Sequence, residues 1–186
     1  MNRNAFYLAA LLVAFSLLVF GSFAQAAEPN ATASHGMGLQ GFGARIGLVD
    51  PEGASSTVAL GAHIDAGEFV KNVHVMPYVE YWKVGVSGID TRDFTLATDV
   101  NLDFPLQGGQ IVPYAGGGLG LHFLHADLPV NAVGDASRTK LGFNIQGGVR
   151  NQVMPNLGLF GEVRFSFVES ADQFHLMGGF TYNFIY

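Results

Sequence analysis

From residue 41 to residue 186, apolar side chains return at every second position, and this alternation constrains the chain more than any other feature. Successive side chains of a strand point to opposite faces, so a period of two builds sheet with one apolar and one polar face. The clearest run sets Phe94, Leu96, Val100, Leu102 and Phe104 against Thr95, Ala97, Asp99, Asn101 and Asp103. Seven more runs behave alike. Their apolar sides begin with Phe42, Val58, Val73, Ile111, Leu141, Leu157 and Phe174, and opposite them lie Arg45, His63, Glu80, His122, Gln146, Arg164 and His175.

Eight runs of about 9–13 residues match the number and length of strands in a small membrane barrel, where a tilted spanning strand needs about 9–11 residues. The composition agrees: 49% of residues are hydrophobic and 13% charged, while no 18-residue apolar run follows the N-terminal segment. The expected fold is therefore all-β, an eight-stranded antiparallel up-and-down transmembrane β-barrel over 41–186. Residues 105–110 and 151–156 read as tight turns, with Pro105, Gly108, Gly109, Pro155 and Asn156. Residues 84–93 and 124–139 read as longer outer loops carrying Asp90, Arg92, Asp93, Asp127, Asp135 and Arg138, and 50–56 and 169–173 as short ones. Pro77 interrupts the third run, and a bulge is expected there because a closed barrel offers proline no free edge.

Alternation alone does not say which face points outward, and a soluble lipocalin-like barrel would turn the apolar set inward. Aromatic positions favour the membrane. Tyr81, Phe94, Phe123, Phe143, Phe167 and Phe174 fall near one rim, and Phe42, Phe104, Phe184 and Tyr186 near the other, like the two girdles of a membrane barrel. The other face mixes isolated charges with glycine, as a crowded lumen would, and the sequence ends on its last strand at an aromatic residue.

The N-terminus reads as an address. Arg3 precedes an uncharged stretch from Ala5 to Phe20, and Ala24-Gln25-Ala26 supplies a small-x-small cleavage site. Residues 1–26 are thus expected to be a cleaved secretory signal peptide rather than an anchor helix, and 27–40 a flexible lead-in. Cleavage would leave eight Lys and Arg against 15 acids, a net charge of −7. That balance argues against a nucleic-acid partner, and the absence of cysteine removes disulfides, thiolate metal sites and a lipid-attachment thiol.

An eight-stranded barrel is just wide enough for its side chains to fill. A structural ion-pair network is expected from Arg45, Glu80, Asp99, Glu162 and Arg164, plugging the lumen in preference to lining a small pore. His63, His74, His122 and His175 fall on the inward set without metal-ligand spacing, so no metal and no cofactor is expected. Gly116, Gly117 and Gly118 open no helix, so they read as room for bulky neighbours such as Tyr78 and Trp82 rather than a phosphate loop. A lipid-A-modifying enzyme is the competing activity. Its His-x-Ser pair is missing, since Phe123 and Leu124 follow His122 and Leu176 and Met177 follow His175. The expectation is a non-enzymatic protein of envelope structure, or one that meets an extracellular or protein partner through its outer loops.

Three stretches carry a family likeness. The ending Phe180-Thr181-Tyr182-Asn183-Phe184-Ile185-Tyr186 resembles the C-terminal assembly signal of outer-membrane barrels, with Phe180, Tyr182, Phe184 and Tyr186 as its aromatic positions. Pro113 to Gly120, and Gly147-Gly148-Val149-Arg150 followed by Pro155-Asn156, are similar to strands of the outer-membrane protein beta-barrel superfamily. The resemblance implies an integral place in a Gram-negative outer membrane, contact with its lipid and lipopolysaccharide, and recognition by the barrel-insertion machinery during assembly. It implies no particular activity.

Overall fold

A computed structural model describes residues 36–86, 89–106, 111–127 and 136–184. The proposed signal peptide, His35, Gly108, Gly109, Asp135 and Tyr186 lie outside them. Eight strands follow in order: β1 (Met37–Pro51), β2 (Thr57–Val70), β3 (Val73–Val86), β4 (Ile89–Asp103), β5 (Ile111–Asp127), β6 (Ala136–Met154), β7 (Leu157–Val168) and β8 (Gln173–Asn183). Each pairs antiparallel with the next, and β8 pairs with β1 to close the barrel. Closure leaves no open edge along the wall, which a hydrocarbon environment would not tolerate. Where β1 begins and β8 ends, Phe184 N donates to Gln40 O across the seam, and Asn183 N donates to Asn156 O in the β6–β7 turn.

The register fixes the geometry. From Arg45, paired positions run through Gly61, Glu80, Thr95 and His122 to Lys140 in one direction, and through Gly179 and Phe160 to Arg150 in the other. The circuit meets β6 at positions 140 and 150, a shear of ten. Eight strands with that shear tilt by about 40°, so each residue advances about 2.5 Å along the barrel axis. Phe94 and Phe104 then stand about 25 Å apart, the height of the apolar band of an outer-membrane barrel.

That band faces outward. Ile46, Leu60, Leu119, Leu141 and Leu176 are more than half exposed, whereas Arg45, Glu80, Asp99, Glu162 and Arg164 are buried. The lipocalin-like orientation is thereby excluded. Leu121 is the exception: set by the register between Leu96 and Leu141, it is 1% exposed. Aromatic contacts gather at both rims. Phe94–Phe123, Phe143–Phe167 and Phe165–Phe174 have centroids 6.1, 4.7 and 5.0 Å apart at the outer one. Phe42 lies 5.8 Å from both Tyr182 and Phe184 at the inner one.

Several sequence expectations are corrected. β1 starts at Met37, inside the stretch read as lead-in. Residues 84–86 and 89–93 extend β3 and β4, and 124–127 and 136–139 extend β5 and β6, so most of the first long loop and half of the second are ladder. Continuing the alternation past Thr95 then turns Asp93 inward, where it is fully buried instead of lying in a loop. The bulge expected at Pro77 is carried by a neighbour. β3 keeps regular register with β4 through Pro77 and Thr98, while between His63–Tyr78 and Glu68–His74 the extra residue falls on β2. There Gly67 takes φ 86°, open to glycine at little cost, and the break faces a proline that has no N–H to donate.

The inward glycines of β5 make room for β4 rather than for Tyr78 and Trp82. A Cβ at Gly116 would strike Asn101 Oδ1, one at Gly118 would strike Asp99 Oδ1 and the Thr98 carbonyl, and one at Gly120 would approach Ala97 Cβ to 2.8 Å. Gly161, on the outward face, has nothing within 4 Å of its added Cβ. Gly118→Ala should therefore lower stability by about 1–3 kcal/mol in urea unfolding from lipid vesicles. Gly161→Ala should stay within about 0.5 kcal/mol of the parent.

Candidate functional site

Inward side chains from all eight strands fill the lumen in three layers. The middle layer centres on Arg164 of β7. Its Nη2 donates to Glu162 Oε1 at 2.7 Å, and its Nη1 donates to Glu80 Oε2 at 3.2 Å and to Tyr78 Oη at 3.0 Å. The two Nη1 bonds cross the barrel from β7 to β3. Tyr114 Oη donates to the other Glu162 oxygen at 2.8 Å, and His175 Nδ1 lies 2.9 Å from Glu80 Oε1. Arg45 stands 3.6 Å from Glu162, beyond hydrogen bonding, with its guanidinium 4.6 Å from the Tyr78 ring centre and 5.7 Å from that of Phe160.

Arg45, Glu80, Glu162 and Arg164 are thus brought together. Asp99 is next to them but differently held: its Oδ1 accepts from Asn144 Nδ2 at 3.0 Å, and among the described residues no guanidinium pairs with it. Tyr78, Tyr114, Asn144 and His175 were missing from the sequence-based set. All four share the inward parity read from the sequence, and what that reading lacks is the pairing of uncharged groups with the charged ones. Neutral partners do not announce themselves when only charges are sought.

The outer layer is built around Asp93. Its Oδ2 accepts from His122 Nδ1 at 2.7 Å and Gln173 Nε2 at 2.9 Å, and Trp82 Nε1 donates to Gln173 Oε1 at 3.2 Å. Thr95 Oγ1 lies 3.0 Å from the same His122 nitrogen. A hydroxyl, an imidazole and a carboxylate are side by side, yet not in relay. A general base needs the nucleophile on one ring nitrogen and the orienting acid on the other. Here both meet Nδ1, in a layer where Asp93 and Thr95 are 0% and 2% exposed. Above it, Trp82, Val84, Val49, Ala59 and Met177 form an apolar cluster against Ala54 of the β1–β2 turn.

The inner layer holds Asp65, Glu68, His74, Asp103 and Arg150. Arg150 Nη1 donates to both Asp103 oxygens at 2.8 Å, and its guanidinium lies 4.3 Å from the Tyr114 ring centre. No group of metal-ligating side chains is arranged to hold an ion among the described residues.

The outer rim is polar. Lys83 pairs with Asp90 at 2.6 Å, and Asp127 pairs with Arg92 and His125. Lys140 donates to the Glu169 carbonyl. A cleft of about 390 Å³ between the β1–β2 and β7–β8 turns has Asp50, Glu52 and Asp172 above Phe165, Phe167 and Phe174.

Solved structures share this fold. Neisserial surface protein A superposes with a TM-score of 0.64 at 20% identity, over 77% of this chain and 96% of that one. The N-terminal β-barrel domain of Pseudomonas aeruginosa OprF gives 0.53 at 13% identity, over 79% and 99%. Ail, the attachment invasion locus protein of Yersinia pestis, in complex with the heparin analogue sucrose octasulfate, gives 0.51 at 16% identity, over 78% and 100%. No protein-family profile and no curated protein matches the chain. At these identities the likeness establishes the fold, a closed eight-stranded antiparallel barrel of the outer-membrane type.

Proposed function

We propose that the chain is a non-enzymatic, integral barrel of the bacterial outer membrane. In this reading residues 1–26 direct export, and Phe180, Tyr182, Phe184 and Tyr186 present the barrel to the insertion machinery. The outward apolar band meets lipid and lipopolysaccharide. The observation that carries the reading is the Arg164 junction, which ties β7 to β3 through Glu80 and Tyr78 across the middle of the lumen. With that layer filled, the barrel is a scaffold, and its work falls to the outer rim.

Charge suggests what the rim meets. Asp50, Glu52, Asp90, Asp127, Glu169 and Asp172 outnumber Lys83, Arg92, Arg138 and Lys140 there. A sulfated sugar, the ligand of the Ail complex, would be repelled by this balance, whereas a basic protein surface would be steered toward it. The rim is therefore assigned to a cationic partner.

The test uses the purified mature barrel and its Asp50→Asn, Glu52→Gln, Asp172→Asn variant, which neutralises three of the rim acids. Both should migrate as heat-modifiable barrels and show no large steady conductance in planar bilayers. The neutralised form should bind immobilised polylysine less than half as well as the parent. Large steady channels in the parent would end the scaffold reading. Equal polylysine binding by the two forms would end the assignment of the rim to a cationic partner.

A further inference from the structure

The scaffold reading gives the inner layer no task beyond filling space, yet one side chain there is surrounded in an unusual way. His74, the second residue of β3, has a carboxylate at each ring nitrogen. Nδ1 lies 3.4 Å from Asp65 Oδ1, and Nε2 lies 3.4 Å from Glu68 Oε1 and 3.7 Å from Asp103 Oδ2. A neutral imidazole carries one N–H, so it satisfies one side and turns a lone pair toward an anion on the other. The imidazolium donates on both sides.

The two sides belong to different parts of the wall. Asp65 precedes the β2 bulge and also accepts from Gly67 N at 2.9 Å, at the glycine whose positive φ makes the bulge. Glu68 follows the bulge, and Asp103 closes β4, where its backbone N–H donates to Asn72 O in the β2–β3 turn. Around His74, then, stand Asp65 and Glu68 from β2, Asp103 from β4 and Arg150 from β6, with the Tyr114 phenol of β5 beneath Arg150. Three carboxylates face one guanidinium. Without the imidazolium, this end of the lumen holds an excess of two negative charges beside the stretch where the β2–β3 ladder shifts register on both sides of Glu68.

We propose that His74 is a proton-operated latch, which as imidazolium pins the β2 bulge and the β2–β3 turn to β4 and on deprotonation releases them, opening the inner mouth of the lumen to water and cations. The sign follows from the partners. The latch is closed where the carboxylates are ionised and the imidazole is protonated, and it opens as pH rises through the titration of His74.

The test is amide hydrogen exchange of the barrel refolded in phospholipid micelles, from pH 5 to pH 9, with rates corrected for intrinsic pH dependence. In the parent, protection of residues 65–76 should fall about tenfold across that range, while residues 160–180 keep theirs. His74→Gln should show the low protection at every pH. His122→Gln, which alters the imidazole–carboxylate pair of the outer layer, should keep the step. A flat parent profile, or a step that survives in His74→Gln, would overturn the latch. Should His74→Gln fail to fold, the ring-nitrogen shifts of His74 in the parent decide the matter. Titration that coincides with loss of protection at 65–76 supports the latch, and titration without it overturns it.

Discussion

Arg164→Ala should lower the unfolding free energy of the barrel by about 3–5 kcal/mol, measured by urea titration from lipid vesicles, the largest loss expected from any lumen substitution. The size comes from what the alanine leaves behind. Glu80 and Glu162 are 3% and 4% exposed, and each loses a guanidinium donor at hydrogen-bonding distance. Arg45 remains, but 3.6 Å from Glu162 and over two aromatic rings it replaces neither bond. A buried carboxylate without its cation keeps its desolvation cost and loses the attraction that offset it. The double change Arg164→Met, Glu80→Gln should recover part of the loss, because it removes one stranded carboxylate and leaves Glu162 beside Arg45. If the single and double variants were equally unstable, lost packing rather than stranded charge would be the cause.

The same residues show how far a sequence can be read. Period-two patterning placed Arg45, Glu80, Glu162 and Arg164 on one face, and the eightfold repetition implied a closed wall. Which of them touch depends on the shear, and shear is set by register between strands rather than by alternation within one. Asp99 shows the consequence. It shares parity with the ion pairs, yet the stagger delivers Asn144 to it. Asp93 was lost for another reason: loop-like neighbours, Asp90 and Arg92, disguised a strand that continues past the membrane with its alternation intact. Pro77 marked a real irregularity on the wrong strand, because the residue that lacks an N–H can leave its partner to bend. Nothing local in Asp65, Glu68 and His74 announces that they meet, since bulge and register together bring them into one layer.

Ile46→Arg should cost about 2–4 kcal/mol in vesicles, although Ile46 is 57% exposed and touches no lumen group. On a water-facing surface such a change would stay within about 0.5 kcal/mol. The difference is the solvent. Ile46 lies one residue from Arg45 along β1, at the level of the middle lumen layer, and so near mid-height of the apolar band. An arginine there must place its charge in hydrocarbon or reach along the wall toward a rim about 10 Å away. The penalty should fade with depth: Leu60→Arg, nearer the outer girdle, should cost less, and Val58→Arg, one step further along β2, about 0–1 kcal/mol. A gradient of that shape across three outward residues of two paired strands measures the membrane directly. Equal, small costs at all three would place the band in water and remove the membrane from the account, with the lumen network left as it is.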